Sequence, residues 1–261
     1  MSKTILKVNG LTMNFGGIMA LDHLDLEVCS QEIVALIGPN GAGKTTFFNC
    51  LTGIYQSSGG DIQLTSPRSG KKRRLNGLKP NQITEAGMAR TFQNIRLFTG
   101  MTVLENVMIG RHCRTRSLIF GAIFRTRMSR DEEKETIDKS YAILEKIGLS
   151  AQANEFAGNL AYGAQRRLEI GRALATEPFL LLLDEPAAGM NPLETADLVA
   201  LIRRIRDEGH AILLIEHDMK LVMSLSDRIF VMDYGKKIAQ GTSAEIRVNQ
   251  DVIKAYLGED A

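Results

Sequence analysis

The chain has 261 residues, of which 44% are hydrophobic and 24% charged, and its 32 Lys and Arg against 30 Asp and Glu leave a net charge of +2. That length holds one large domain, or a core with a smaller lobe. The near balance of charge argues against a polyanion-binding protein. Cys29, Cys50 and Cys113 are scattered without metal-ligand spacing, which fits a reducing compartment. The first residues lead straight into Ile5 to Val8, which alternates like an edge strand and carries no secretory apolar segment. Leu24 to Val28 alternates in the same way, and residues 33–37 form an apolar strand.

That strand feeds the most informative run of the chain, Gly38-Pro39-Asn40-Gly41-Ala42-Gly43-Lys44-Thr45-Thr46, and Phe47 to Leu51 reads as a helix start beyond it. Strand, glycine-rich loop and helix in this order form a nucleoside triphosphate site. Glycines let the backbone wrap tightly and turn several amides toward phosphate. The helix N-terminus adds partial positive charge. Lys44 can reach the β and γ phosphates, and Thr45 can ligate magnesium.

Gly59-Gly60 reads as a turn before a strand over 61–64, and the polar stretch from Ser66 to Pro80 as an exposed hairpin or loop. Its basic cluster, Lys71 to Arg74, reads first as a solvated loop, with nucleic acid or lipid headgroups as the alternative. From about 101 to 176 helical periodicity dominates. Residues 102–107 open one helix, and a break is expected near Gly121. Ser129 to Glu132 has the pattern of a capping box. Ile137, Tyr141, Leu144 and Ile147 follow at helical spacing as a buried stripe, ended by Gly148. Strands and helices then alternate: strand 179–183, helix 194–208 with Leu198, Leu201, Ile202 and Ile205 on one side, strand 211–215, helix 219–226, and strands at 228–232 and 237–241. The result is an α/β core with a helical lobe inserted between two core segments.

The second strong element is Leu180 to Leu183 ending in Asp184-Glu185. Two acids stand at the carboxyl end of a buried strand, where α/β ligand sites lie. Asp184 is placed to hold magnesium and Glu185 to polarise an attacking water, since phosphoryl transfer to water needs metal neutralisation and an oriented nucleophile. His217 follows the next apolar strand in a parallel position. A lone histidine is ordinarily a polar surface residue, but this one is placed to hydrogen-bond a γ phosphate. Gln93 sits near the lobe boundary, where its amide can reach metal or water. Phe15 is either ordinary core or a ring that stacks on adenine.

Together these residues resemble the ATP-binding-cassette family, in family order and over nearly the whole chain. The resemblance implies a P-loop NTPase core of that type, with an N-terminal antiparallel β subdomain and an inserted α-helical subdomain. The domain boundaries expected are one cassette over 1–247, with core at about 1–92 and 177–247 and helical subdomain at about 93–176, then a C-terminal helical extension over 248–261. By resemblance, ATP and Mg2+ are the bound groups. Phe15 matches the base-stacking aromatic, 38–46 the phosphate loop, and Gln93 the glutamine loop. Asp184 matches the magnesium aspartate, Glu185 the catalytic glutamate and His217 the switch histidine. Lys44, Gln93, Glu185 and His217 are the catalytic set implied, with Thr45, Gln93 and Asp184 at the metal. Leu160-Ala161-Tyr162-Gly163-Ala164 falls where the family carries Leu-Ser-Gly-Gly-Gln, so Ala161, Tyr162 and Ala164 are departures. Ala161 removes a hydroxyl donor to the γ phosphate, while helix-end amides remain. Asn191 replaces the usual aspartate of the loop that crosses the dimer.

A finer resemblance, to branched-chain amino acid importer ATPases of the LivG-like type, rests on residues 160–170, 184–192, 215–223 and 252–258. It implies an ATPase subunit, peripheral at the cytoplasmic face of the inner membrane. Its partners would be a second cassette, either a copy of itself or a related chain, and two membrane permeases. A periplasmic binding protein would act indirectly, and no nucleic acid is expected. Two cassettes would close head to tail on ATP and reopen on hydrolysis. The expected permease contacts are Phe98, Thr99, Met101 and Val103. Alternatives are another transporter such as a lipid-linked exporter, a soluble cassette acting on ribosomes or DNA repair, a small-molecule kinase, and a nucleotide-bound regulator. Glu185 argues against the last, and the 160–165 segment against the kinase.

Overall fold

The computed structural model describes residues 3–114 and 127–257. The expected break near Gly121 lies outside them. Two sheets organise the chain. The first is antiparallel, in the order β2 (Ile18–Cys29), β1 (Thr4–Phe15), β4 (Gly59–Thr65) and β5 (Lys72–Arg74). β1 is paired on both sides, so the expected edge strand is an interior one. Gly59 and Gly60 belong to β4, which starts two residues earlier than their turn reading implied. The 66–80 hairpin forms as expected, with Thr65 opposite Lys72. Its basic residues lie on an exposed strand, where Arg74 pairs with Asp61 at 2.5 Å.

The second sheet runs β10 (Lys236–Gly241), β9 (Arg228–Asp233), β3 (Ile33–Ile37), β8 (Ala211–Ile215), β7 (Leu180–Asp184) and β6 (Met88–Arg90). All neighbours are parallel except β10, which pairs antiparallel with β9. Every residue of β3, β7 and β8 is buried. A parallel sheet covered on both faces reads as an unbroken apolar run, and that is the pattern here. Alternate residues serve two cores. Ile33, Ala35, Ile37, Leu181, Leu183, Ile212 and Leu214 face one, together with residues of the helical lobe. Val34, Leu36, Leu180, Leu182, Ala211 and Leu213 face the other, against Phe47, Phe48 and the first sheet.

Among the described residues the α-helices are α1 (Lys44–Leu51), α2 (Pro80–Glu85), α3 (Val103–Arg111), α4 (Arg127–Lys146), α5 (Tyr162–Leu174), α6 (Pro192–Asp207), α7 (Met219–Leu225), α8 (Ser243–Arg247) and α9 (Gln250–Leu257). Helices α3, α4 and α5 pack together as a lobe between β6 and β7. Thr102 caps α3 in a capping box with Glu105, a motif whose loss costs about 1 kcal/mol. Gly148, at φ +69, ends α4 as expected. Ser129 lies inside α4 rather than at its cap. The buried stripe of α4 also differs: Thr136 and Ser140 are buried with Leu144 and Ile147, while Tyr141 is exposed. The Ser140 hydroxyl donates to the Thr136 carbonyl at 2.7 Å, which removes its need for water. In α6, by contrast, Leu198, Leu201, Ile202 and Ile205 are all buried as the spacing predicts. Among the described residues no helix is long and apolar enough to cross a membrane.

Candidate active site

The glycine-rich loop leaves β3 and closes into α1, as its sequence requires. A Cβ at Gly38 would collide with the Met232 carbonyl oxygen of β9. Gly43, the N-cap of α1, sits at φ +99 with the Ala20 carbonyl 2.6 Å from where its Cβ would stand. No side chain caps α1. Its first-turn amides therefore have no side chain competing with an anion. Lys44 folds back over the loop, its Nζ donating to the Gly38 and Pro39 carbonyls at 2.6 and 2.9 Å. Burial lowers its pKa, and the Glu185 and Asp184 carboxylates oppose that shift. Thr45 is exposed in the first turn and Thr46 half-buried beside it.

Glu185 follows β7 in the left-handed region at φ +48. A non-glycine residue held there carries roughly 1–3 kcal/mol of strain, offset by the surrounding structure. Its amide donates to the Ile215 carbonyl at the end of β8 at 2.9 Å. This turn brings the carboxylate between two side chains named from the sequence. Gln93 Nε2 donates to Glu185 Oε2 at 2.8 Å, and His217 Nδ1 lies 3.5 Å from Oε1. Gln93, Glu185 and His217, from three separate strand ends, thus share one carboxylate.

Asp184 is almost fully buried at the tip of β7, and it meets a partner the sequence reading missed. Arg90 Nη2 donates to its Oδ2 at 2.6 Å, both side chains being 6% exposed. The same guanidinium donates to Asn49 Oδ1 at 2.7 Å and lies over the Phe48 and Phe92 rings. The signal for Arg90 was available as a charge in an apolar strand, but only the β6–β7 pairing shows its partner. Glu216 was missed too. It is 2% exposed and accepts from the amides of Ala187 and His217 at 2.9 and 3.3 Å. Burial raises its pKa, against those bonds.

The 160–164 segment lies at the N-terminus of α5, with Ala161 as N-cap. Gly163 packs on Glu194, which closes a capping box with Asn191 at the start of α6. Asn191 is therefore a cap as well as a loop residue. Ala164 is buried and Tyr162 exposed. Phe15 is 41% exposed at the end of β1, edge-on to Tyr55 with centroids 5.3 Å apart, so its ring is open to a planar base.

Between core and helical lobe lies a cleft of about 680 Å³, lined in part by Arg90, Arg96, Phe98, Ile109 and His112. Phe98 lines it and is exposed, as are Thr99 and Met101 just after it in the chain, but Val103 is fully buried and cannot meet a partner. Val103 follows the Thr102 cap on the inward face of α3, where it joins the core.

Comparison with known proteins matches residues 21–188 to the ABC transporter family and residues 236–261 to a family described as branched-chain amino acid ATP-binding cassette transporter. The chain is 52% identical over 260 residues to the high-affinity branched-chain amino acid transport ATP-binding protein LivG of Salmonella typhimurium, covering 99% of this chain and 100% of that protein. It is 50% identical to BraF of Pseudomonas aeruginosa with the same coverage. The crystal structure of the ADP conformation of MJ1267, an ATP-binding cassette of an ABC transporter, superposes with a TM-score of 0.84 at 31% identity, over 99% of this chain and 100% of that one. The phosphate loop, the acids at the tip of β7 and the inserted helical lobe are features of one family, and the chain belongs to it: it is an ATP-binding subunit of the ABC transporter family.

Proposed function

We propose that the chain hydrolyses ATP to drive import of branched-chain amino acids, as one of two cassettes beneath a pair of membrane permeases. The observation that carries the chemistry is the convergence of Gln93 and His217 on Glu185 beside the phosphate loop. The cargo rests on the end-to-end likeness to LivG and BraF. The cassette comprises residues 1–247, with its core at about 1–92 and 177–247, the helical subdomain at about 93–176, and a C-terminal extension over 248–261. It sits peripherally at the cytoplasmic face of the membrane, with a periplasmic binding protein delivering cargo to the permeases. Phe98, Thr99 and Met101 form the docking rim for them.

Phe15 stacks on the adenine. The amides of 38–46 and the start of α1 cradle the phosphates. Lys44 exchanges two neutral carbonyls of its own loop for β and γ phosphate oxygens, gaining charged acceptors. Among the described residues no group of three or more His, Cys, Asp or Glu side chains could hold a metal ion. The available donors are oxygens: the exposed Thr45 hydroxyl, Asp184 and the Gln93 amide, a set that suits magnesium completed by phosphate and water. When bound, magnesium neutralises the charge on the transferring phosphoryl group. Glu185 orients a water in line with the γ phosphorus and takes up its proton. The water oxygen bonds to the γ phosphorus as the bond to the bridging oxygen breaks, and ADP and inorganic phosphate leave. His217 holds a γ oxygen, and Gln93 releases Glu185 to meet the water. The amides of Ala161, Tyr162, Gly163 and Ala164 face the nucleotide of the second cassette.

The test is purification of the tagged chain from its native membranes, followed by reconstitution of what co-purifies. Two hydrophobic permeases are expected, and ATP-dependent uptake of labelled leucine into proteoliposomes. Recovery of ribosomes or DNA-repair proteins without permeases overturns the transport reading. A complex that hydrolyses ATP but moves no branched-chain amino acid overturns the cargo.

A further inference from the structure

Arg166 is a guanidinium with no exposure to solvent. Nη1 donates to the Phe92 carbonyl at 2.7 Å and to Glu169 Oε2 at 3.1 Å. Nη2 donates to the Gln93 carbonyl at 2.8 Å and to the Tyr162 hydroxyl at 3.1 Å. Glu169, one turn on, accepts from the amides of Phe92 and Arg96 through Oε1, at 3.4 and 3.3 Å. A single turn of α5 therefore grips both donors and acceptors of the backbone that carries Gln93. A buried arginine is retained at a net cost unless its donors are used, and four of them are used here.

Tyr162 extends this grip in a second direction. Its ring packs on Gly189, 3.3 Å from where a Cβ would stand, in the turn that precedes α6. Any side chain at Gly163 would likewise strike Glu194, at 2.6 Å. The start of α5 is thus seated on the 186–191 turn, and the tyrosine that departs from the family glycine is what seats it.

We infer that Tyr162 and Arg166 are positioning residues that join the glutamine loop at Gln93 to the 160–164 and 186–191 segments, so that the state of one site sets the surface offered to the second cassette. The inference rests on the proposed roles of Gln93 and the 160–164 segment. It assigns a purpose to the departure at Tyr162: the ring replaces the flexibility of glycine with a fixed contact, relayed through Arg166.

The test uses the full chain carrying Glu185→Gln, with Tyr162→Phe or Arg166→Lys added. Hydrogen exchange is followed in peptides 91–97 and 186–191, and ATP-dependent pairing by light scattering, with the chain alone and with its second cassette. Tyr162→Phe removes only the hydroxyl that Arg166 holds. Faster exchange in 186–191 is expected, with pairing weakened roughly tenfold, the size of one charge-assisted hydrogen bond, while the melting temperature moves by no more than about 3 °C. Arg166→Lys, which keeps the charge but loses the fork, is expected to speed exchange in 91–97. Unchanged exchange in 186–191 for Tyr162→Phe overturns the inference, and that variant decides even where Arg166→Lys does not fold. If Glu185→Gln alone forms no ATP-dependent pair, the role of Glu185 falls, while the exchange result still decides for or against the linkage.

Discussion

In the function proposed above, the strand-end cluster of the core and the 160–164 segment of the helical lobe face the same chemistry with different materials. In that function the core adds specific side chains, Lys44, Asp184, Glu185 and His217, to the amides of its phosphate loop. Asp184 ends the buried strand β7, Glu185 and His217 follow β7 and β8, and Lys44 opens α1 beyond the loop that leaves β3. In the lobe, Ala161, Tyr162 and Ala164 have replaced the family residues, yet α5 still begins at Tyr162 and Gly163 still packs closely on Glu194. Proton transfer and metal binding need particular functional groups, whereas an anion can be met by helix-end amides that any residue supplies. Side chains in the second region are therefore free to take up positioning.

Four substitutions probe that contrast. The largest effect belongs to Glu185→Gln, expected to slow phosphate release by about 10²–10⁴-fold, the range for a lost general base, while ATP stays bound. Phosphate release at the normal rate would remove Glu185 from the mechanism. Arg90→Met leaves Asp184 buried and unpaired, and denaturant melts should show a loss of about 3–5 kcal/mol. A loss under 1 kcal/mol would mean that another cation reaches Asp184. Ala161→Ser restores a hydroxyl to the lobe, and steady-state turnover should hold or rise within about tenfold, one hydrogen bond's worth. A strong fall would show that side chains, not amides, govern this loop. The smallest effect is at His210, which precedes β8 at the end opposite His217. Burial lowers its pKa from 6.5, against a bond between Nδ1 and the Pro178 carbonyl at 2.7 Å. The unfolded chain then binds more protons just below pH 6.5, so stability is full above that pH and falls as pH drops toward the lowered folded value. His210→Gln should flatten thermal stability between pH 7 and 5, and an unchanged slope would assign the acid loss to other groups.

Legibility in the sequence followed the range of the contacts involved. The apolar runs of β3, β7 and β8 and the α6 stripe were readable because burial repeats with a local period. The phosphate loop was readable because its glycines, lysine and threonine act within nine residues. Arg90, Arg166 and Glu216 were not, since a buried charge is explained only by partners that topology supplies. Asp184 meets Arg90 across β6 and β7, and Gln93 meets Arg166 across the lobe boundary. Val103 and Tyr141 failed for a simpler reason. Each fits an exposed or a buried reading by type, and helix rotation decided between them. The Glu185 contact with His217 agrees with the placement at adjacent strand ends read from the sequence, whereas the contact with Gln93 depends on β6, which the sequence reading did not expect, and the left-handed turn that aims the carboxylate left no sequence signal.

The register of β3 carries a consequence for biogenesis. Ile33 pairs with Ile212, and Val34 with Arg228, so the strand that delivers the phosphate loop has no sheet neighbour until residues 211–215 have been made. Distant parallel pairings are slow to close, and domains made on the ribosome wait for their missing strands. Gly38, pressed against Met232, has nothing to press against before then. A nascent chain therefore carries the whole phosphate-loop motif without the scaffold that shapes it until β8 and β9 have emerged, and ATP turnover cannot begin before then.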